Sequence, residues 1–87
     1  MFKKFKIKEY IPQRGDIVSV SKRNLNYLGT DISAYYGFEG VISEVYTNNS
    51  FCIFSGHSSL VVPVYKNKKF YVCINGIEFK IKKNNIQ

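Results

Sequence analysis

The most constraining feature of the sequence is the segment from Tyr71 to Lys80, in which Asn75 and Gly76 separate two runs of alternating apolar residues. An Asn-Gly pair between such runs favours a two-residue type I′ turn, because both positions of that turn need a positive φ. The turn sets the register of the two strands and places Tyr71 opposite Lys80. One face of this predicted hairpin is apolar and carries Phe70, Val72, Ile74, Ile77, Phe79 and Ile81.

Composition extends the same prediction to the rest of the chain. The sequence has seven Phe, seven Tyr, ten Ile and eight Val, against one Ala, one Met and no Trp. β-Branched and aromatic residues favour strands, whereas a helical protein uses more Ala, Leu and Met. With 87 residues there is room for one domain. We therefore predict a single all-β domain over residues 1–87, with a core at about 10–83 and residues 1–9 as an extra strand or a flexible basic arm.

Gly, Asn, Pro and Ser divide the chain into short segments with the spacing of a small barrel or sandwich. Residues 23–38 show no clear period, and we interpret them as a long loop with room for one helical turn. Pro63 indicates an edge or a bulge in its strand, because proline cannot donate to the ladder. The further strands predicted are Asp16 to Lys22, Glu39 to Thr47, Ser50 to Ser55 and Leu60 to Lys66.

Two motifs carry a resemblance to known families. Arg14-Gly-Asp-Ile-Val-Ser-Val20 is followed by Gly37-Phe-Glu-Gly-Val-Ile-Ser-Glu-Val45, and this resembles the Gly-Asp-x-Val-x-Val and Gly-x-x-Gly-x-Val-x-x-Val strands of KOW and SH3-like small barrels. The resemblance covers residues 13–46 and implies an SH3-like barrel of five or six short antiparallel strands with a long first loop. KOW modules commonly contact RNA, ribosome or polymerase through this loop, here residues 22–38. The sequence departs from the KOW pattern at Glu39, where KOW modules often have a basic residue, and in the length of the loop. A long first loop is closer to SH3 domains, which usually bind proteins.

The charge of the chain points to a partner of opposite sign. The net charge is +7, from eleven Lys, two Arg and six acidic residues, and such a balance favours nucleic acid or another polyanion. Lysines alternate with apolar residues near both ends of the chain. If these two segments pair, their lysines form one basic strand face that can follow a phosphate backbone. The predicted nucleic-acid-binding residues are Lys4, Lys6, Lys8, Lys66, Lys68, Lys69, Lys80 and Lys82. Two alternatives stay open: the lysines protect sheet edges from aggregation, or they reflect an AT-rich coding sequence.

The long loop supplies a second candidate site. Tyr27, Tyr35, Tyr36 and Phe38 lie in otherwise irregular sequence and can form a stacking platform for bases or a groove for a peptide. The alternative is that the loop's apolar side chains fold back as a cap over an open barrel end. Residues 31–44 carry three acidic side chains and no basic one, which favours a protein-binding surface over a phosphate-binding one.

Catalytic and metal motifs are weak by comparison. His57 is the single histidine, and Cys52 and Cys73 lie in apolar runs without a close cysteine pair. Metal sites need three or four ligands, and we find no carboxylate pair, phosphate-binding loop or dinucleotide fingerprint. We therefore expect no enzyme activity, no metal and no cofactor, and we interpret the cysteines as free thiols in a reducing cytoplasm. Because the sequence has no long apolar stretch, we expect the protein to be neither secreted nor inserted across a membrane.

These patterns together predict a non-enzymatic binding module. The function favoured at this point is recognition of nucleic acid or a nucleoprotein surface through the lysine-rich strand face and the aromatic loop. The alternative is a protein-protein interaction module that uses the aromatic loop, such as an accessory or inhibitor protein encoded by a virus or mobile element. Self-assembly through an exposed edge strand stays open as a third possibility.

Overall fold

The computed structural model describes residues 6–26, 36–64 and 69–83, and within these ranges the chain forms short strands and one 3-10 helix. The prediction of an all-β fold is confirmed, because no α-helix occurs among the described residues. The elements are β1 Glu9–Tyr10, β2 Ile17–Val20, the 3-10 helix η1 Lys22–Asn26, β3 Glu39–Val45, β4 Phe51–Phe54, β5 Ser59–Val62, β6 Tyr71–Ile74 and β7 Ile77–Ile81.

The strands form one sheet in the order β1-β7-β6-β2-β3-β4-β5. Neighbouring strands are antiparallel except β1 and β7, which are parallel. The resemblance implied a barrel of five or six antiparallel strands, whereas the described sheet has seven strands, one parallel pair and open edges at β1 and β5. The difference arises because β7 extends the sheet beyond β6 and then pairs with β1, so neither strand joins β5.

The hairpin of β6 and β7 has the predicted turn and register. Asn75 and Gly76 have φ values of 53° and 79°, as a type I′ turn requires. All four residue pairs are those expected from the sequence, and Tyr71 lies opposite Lys80. The polar face of this hairpin is therefore turned away from the core.

The other predicted strands agree with the structure. β2 to β5 lie within the predicted segments apart from Ser59, one residue early, and Pro63 directly follows the edge strand β5. The beginning of the predicted long loop forms η1. At the N-terminus the strand covers only Glu9–Tyr10, and Lys6 and Lys8 precede it.

One face of the curved sheet forms the hydrophobic core, and we call the opposite face the outer face. The curvature brings distant elements together, since the Phe51 and Phe70 rings meet edge to face with centroids 6.3 Å apart. Asn49 in the turn between β3 and β4 donates to the carbonyl oxygen of Lys82 at 2.6 Å. The buried apolar core consists of Val18, Val20, Ile42, Phe51, Ile53, Leu60, Val62, Phe70, Val72 and Ile81.

Candidate nucleic-acid interface

An open groove of about 690 Å³ lies between the segment that precedes β1 and the strands β6 and β7. Three lysines, one glutamate, one tyrosine and one isoleucine line it. Since the lysines outnumber the carboxylate, the groove has an excess of positive charge. The lining residues are Lys6, Ile7, Lys8, Glu9, Tyr71 and Lys80.

The parallel pairing of β1 with β7 positions one side of the groove. It places Glu9 beside Lys80, and the Lys80 Nζ lies 3.9 Å from Glu9 Oε2. A contact of this length between partly exposed side chains is weak and is screened by salt. Lys80 therefore keeps most of its ability to attract a second anion.

The other side of the groove is Tyr71, which is held by residues of η1. Asn24 is buried, and its side chain accepts from the Tyr71 N–H at 2.8 Å and donates to the Tyr71 carbonyl at 2.7 Å. The Arg23 guanidinium lies over the Tyr71 ring, 5.3 Å from the ring centroid. These contacts fix both the main chain and the ring of Tyr71 against the groove.

Glu78 attaches η1 to the hairpin. Its carboxylate accepts hydrogen bonds from the Ser21 hydroxyl and from Arg23 Nε, the latter at 2.8 Å. Burial by itself raises the pKa of Glu78, but the hydrogen bonds from Ser21 and Arg23 and the Arg23 charge outweigh it and hold the pKa below its usual range. Arg23 therefore serves the fold through this ion pair, and the basic character of the groove comes from lysines.

The structure brings together three of the eight lysines predicted to bind nucleic acid. Lys6, Lys8 and Lys80 line the groove. Lys82 directly follows β7 and Lys69 precedes β6, and both are exposed, but neither lines the groove. The remaining predicted lysines lie outside the described residues: Lys4, Lys66 and Lys68.

Residues 6–8, the described part of the predicted N-terminal strand or basic arm, lie outside any strand. The alternation from Lys4 to Lys8 predicted lysines that face water, and Lys6 and Lys8 are exposed. Tyr10, beyond that segment, packs inward against Phe79 with ring centroids 6.0 Å apart. The Tyr10 hydroxyl also donates to Asp16 at 2.5 Å. Lys6 and Lys8 therefore reach the groove from the segment ahead of β1.

The aromatic residues of the long loop have different environments. Tyr36 is 54% exposed, whereas Phe38 is half-buried and packs against the core. Tyr27 and Tyr35 lie outside the described residues. Within the described part of the loop, Tyr36 is the aromatic side chain placed to contact a partner, and Phe38 supports the sheet.

Sequence reasoning did not select three of the groove residues. Tyr71 was detectable, because the turn at Asn75 already placed it opposite Lys80. Ile7 and Glu9 depend on the parallel pairing of the two ends of the chain, for which the sequence contains no local signal.

The described residues contain no group of three or more His, Cys, Asp or Glu side chains that could hold a metal ion. His57 is exposed in the loop between β4 and β5. Cys52 and Cys73 are free and half-buried, and β2 and β3 lie between their strands in the sheet. None of the described helical residues forms a helix long and apolar enough to cross a membrane.

Comparisons with protein-family models, curated proteins and solved structures find no significant match to this chain. The resemblance to KOW and SH3-like barrels therefore stays a prediction based on the two glycine-valine motifs.

Proposed function

We propose that the protein is a non-enzymatic module that binds nucleic acid, or the nucleic acid of a nucleoprotein, through the basic groove. The observation that carries this proposal is the convergence of Lys6, Lys8 and Lys80 on one open groove. Ammonium groups bind phosphate as point charges, and each phosphate contact releases counterions from the nucleic acid. A lysine-lined groove of this kind therefore follows a phosphate backbone.

The groove favours recognition without sequence preference. Its cationic residues are lysines, and contacts to phosphate carry no sequence information. Bidentate base recognition is typical of arginine, and the Arg23 Nε donates to Glu78. We therefore propose that RNA or DNA of mixed sequence binds with similar affinity and with a strong dependence on salt.

We also propose that the protein is related to the SH3-like or KOW-like small barrels and that it is located in the cytoplasm. Strand order supports the first, because β2 to β5 are consecutive neighbours and β6 returns to pair with β2. Such a return brings the first and last strands of a small barrel together. The free thiols of Cys52 and Cys73 support the second, since unpaired cysteines are typical of reducing compartments.

The test is fluorescence anisotropy with labelled RNA and DNA oligomers of mixed sequence at about 50 and about 200 mM salt. In the test variant Lys6, Lys8 and Lys80 are each changed to Gln. We expect a large loss of affinity at the lower salt, and a salt slope that falls by about 0.7 for each lysine if the ligand is single-stranded.

A matched control removes the same charge elsewhere. Arg14, Lys22 and Lys69 are exposed and do not line the groove, so changing all three to Gln should lower affinity much less. Equal losses in both variants would show a general charge effect. Failure of the unaltered protein to bind at the lower salt would refute the proposal.

Glu9→Gln provides a prediction of opposite sign. It removes the carboxylate 3.9 Å from the Lys80 Nζ, so we expect affinity for the same oligomers to rise by up to about fivefold, the range of an exposed ion pair. Glu44→Gln removes one negative charge from a residue outside the groove and is the control. A Glu9→Gln protein that binds no better than the control would contradict a role for the groove.

A further inference from the structure

A row of apolar side chains, most of them exposed, crosses the outer face of the sheet from β2 to β5, strands that do not line the basic groove. Ile17 pairs with Val41, and Val41 pairs with Phe54. The exposed fractions are 62% for Ile17, 46% for Phe54 and 55% for Val61 on β5. Val41, between Ile17 and Phe54, is half-buried. We call Ile17, Val41, Phe54 and Val61 the apolar row.

The apolar row is continuous across four neighbouring strands. Val61 pairs with Cys52, which lies two residues before Phe54 on the same face of β4. Val61 is therefore the diagonal neighbour of Phe54, within reach of an aromatic ring. Contiguous apolar side chains on a solvent-exposed face mark interaction surfaces more often than scattered ones do.

Two acidic residues accompany the apolar row. Glu39 and Glu44 are exposed on β3, on either side of Val41 along the strand. Glu39 pairs with Ser19 and Glu44 with Cys52. Their positions in the ladder place both carboxylates on the outer face, beside the apolar row.

The charges of Glu39 and Glu44 are not compensated within the described part of the chain. Neither takes part in an ion pair there, and β2 to β5 contain no Lys or Arg. The other described acidic residues all have partners: Glu9 contacts Lys80, Asp16 accepts from Tyr10, and Glu78 accepts from Arg23. In a chain of net charge +7, this face is locally acidic.

We propose that the apolar row with Glu39 and Glu44 binds a protein segment whose apolar side chains are flanked by Lys or Arg. Apolar contact excludes water at the centre of such an interface, and opposite charges at its rim select the partner. This site shares no residue with the basic groove, so it stands independently of nucleic-acid binding.

The same charges argue against two other occupants. A two-fold contact between copies of the chain would bring the same patch onto itself and gather the four carboxylates of the two copies in one interface. Nucleic acid would bring phosphates against these carboxylates. Both arrangements set like charges together, which disfavours them.

Three short peptides test the proposal by isothermal titration calorimetry and by chemical-shift mapping on the full chain. The first is an amphipathic peptide of Leu and Lys, the second replaces every Lys with Glu, and the third replaces every Leu with Ser. If net charge alone decided binding, the basic protein would prefer the acidic Leu/Glu peptide. We expect the Leu/Lys peptide to bind at least about tenfold more tightly than either of the others, with shifts on β2 to β5.

Variants connect that preference to the residues. Ile17→Thr combined with Phe54→Thr should remove Leu/Lys binding while keeping residues that favour strands. Ile77→Thr is the control, because Ile77 is 60% exposed but lies in the hairpin of β6 and β7. Glu39→Gln with Glu44→Gln should weaken binding about tenfold and flatten its dependence on salt. Because both glutamates are exposed, this second variant keeps the proposal testable if the first fails to fold.

Three results would overturn the proposal. The first is a preference for the Leu/Glu peptide or the absence of binding to all three. The second is Leu/Lys binding that survives both sets of substitutions. The third is concentration-dependent dimerisation in analytical ultracentrifugation that the Ile17 and Phe54 substitutions abolish, because the face would then be a contact between copies of this chain.

Discussion

At the scale of single residues, Gly40 shows how one missing side chain shapes the sheet. A Cβ atom at this position would lie 2.3 Å from the carbonyl oxygen of Phe54 and 2.7 Å from its carbonyl carbon. These are backbone atoms of the neighbouring strand β4, so they cannot turn aside as a flexible side chain can. The second glycine of the Gly37-x-x-Gly40 motif thus has a packing reason, which is the close approach of β3 and β4.

We therefore expect Gly40→Ala to lower the free energy of unfolding by about 2 kcal/mol or more, the cost of forcing atoms into a packed site. Urea denaturation followed by circular dichroism measures this. Glu39→Ala is the matched control, since Glu39 is exposed on the same strand, and its effect should stay within about 0.5 kcal/mol. Equal midpoints for the two variants would show that β3 has room for a side chain at this position.

At the scale of elements, the attachment of η1 to the hairpin depends on an ionised carboxylate. Glu78 accepts from both Ser21 and Arg23, and these contacts hold its pKa below the unfolded value of 4.5. A group with a lowered pKa in the folded state stabilises the protein above its unfolded pKa. That contribution is lost as the pH falls through the folded pKa.

We expect the Glu78→Gln protein to lose less stability on acidification than the unaltered protein does. Urea midpoints measured from about pH 7 down to about pH 3 should converge for the two proteins at the acid end. Glu44→Gln is the control, because Glu44 has no ion-pair partner among the described residues. Parallel curves for Glu78→Gln and the unaltered protein would contradict the role given to this carboxylate.

At the scale of the whole molecule, hydrogen bonds from the turn between β3 and β4 hold the curved sheet together. The Asn49 side chain donates to the Lys82 carbonyl at 2.6 Å, and the Val64 N–H donates to the Ser50 hydroxyl at 2.8 Å. The first bond connects this turn to the end of β7, and the second connects it to the end of β5. The second bond extends the pairing of the neighbours β4 and β5, whereas the first joins strands that are separated in the sheet and brings them towards each other around the core.

Asn49 also has a positive φ of 66°, so two substitutions separate its roles. Asn49→Gly keeps the backbone conformation and loses the hydrogen bond, and we expect it to cost about 1 kcal/mol. Asn49→Ala loses both and should cost more, because alanine disfavours this conformation. Asn75→Gly, at the other described non-glycine residue of positive φ, is the control and should be nearly neutral. Thermal unfolding in which Asn49→Gly matches the unaltered protein would remove the proposed tertiary role.

The sequence predictions were accurate where the residues involved lie close together in the chain, and they were incomplete where those residues lie far apart in it. The hairpin around Asn75 and Gly76 was predicted residue by residue, because turn chemistry and alternation act within a few positions. For residues 1–9 the sequence left a strand and a basic arm open, because the pairing of Glu9–Tyr10 with β7 depends on distant packing such as that of Tyr10 against Phe79. Of the candidate sites, the sequence identified the lysines but not which of them share a groove.

The sequence alone determined the strand-forming composition, the turn that pairs β6 with β7, and the excess of lysine. Each of these features depends on the conformational preferences of residues that are close in sequence, or on a count of charged side chains, and neither requires contacts between distant segments. Only the tertiary structure decided that Glu9 lies beside Lys80 and that Glu39 and Glu44 share a face with the apolar row. Contacts between distant segments must offset the entropy of closing the intervening chain, so they depend on the packing of the whole core rather than on any local pattern.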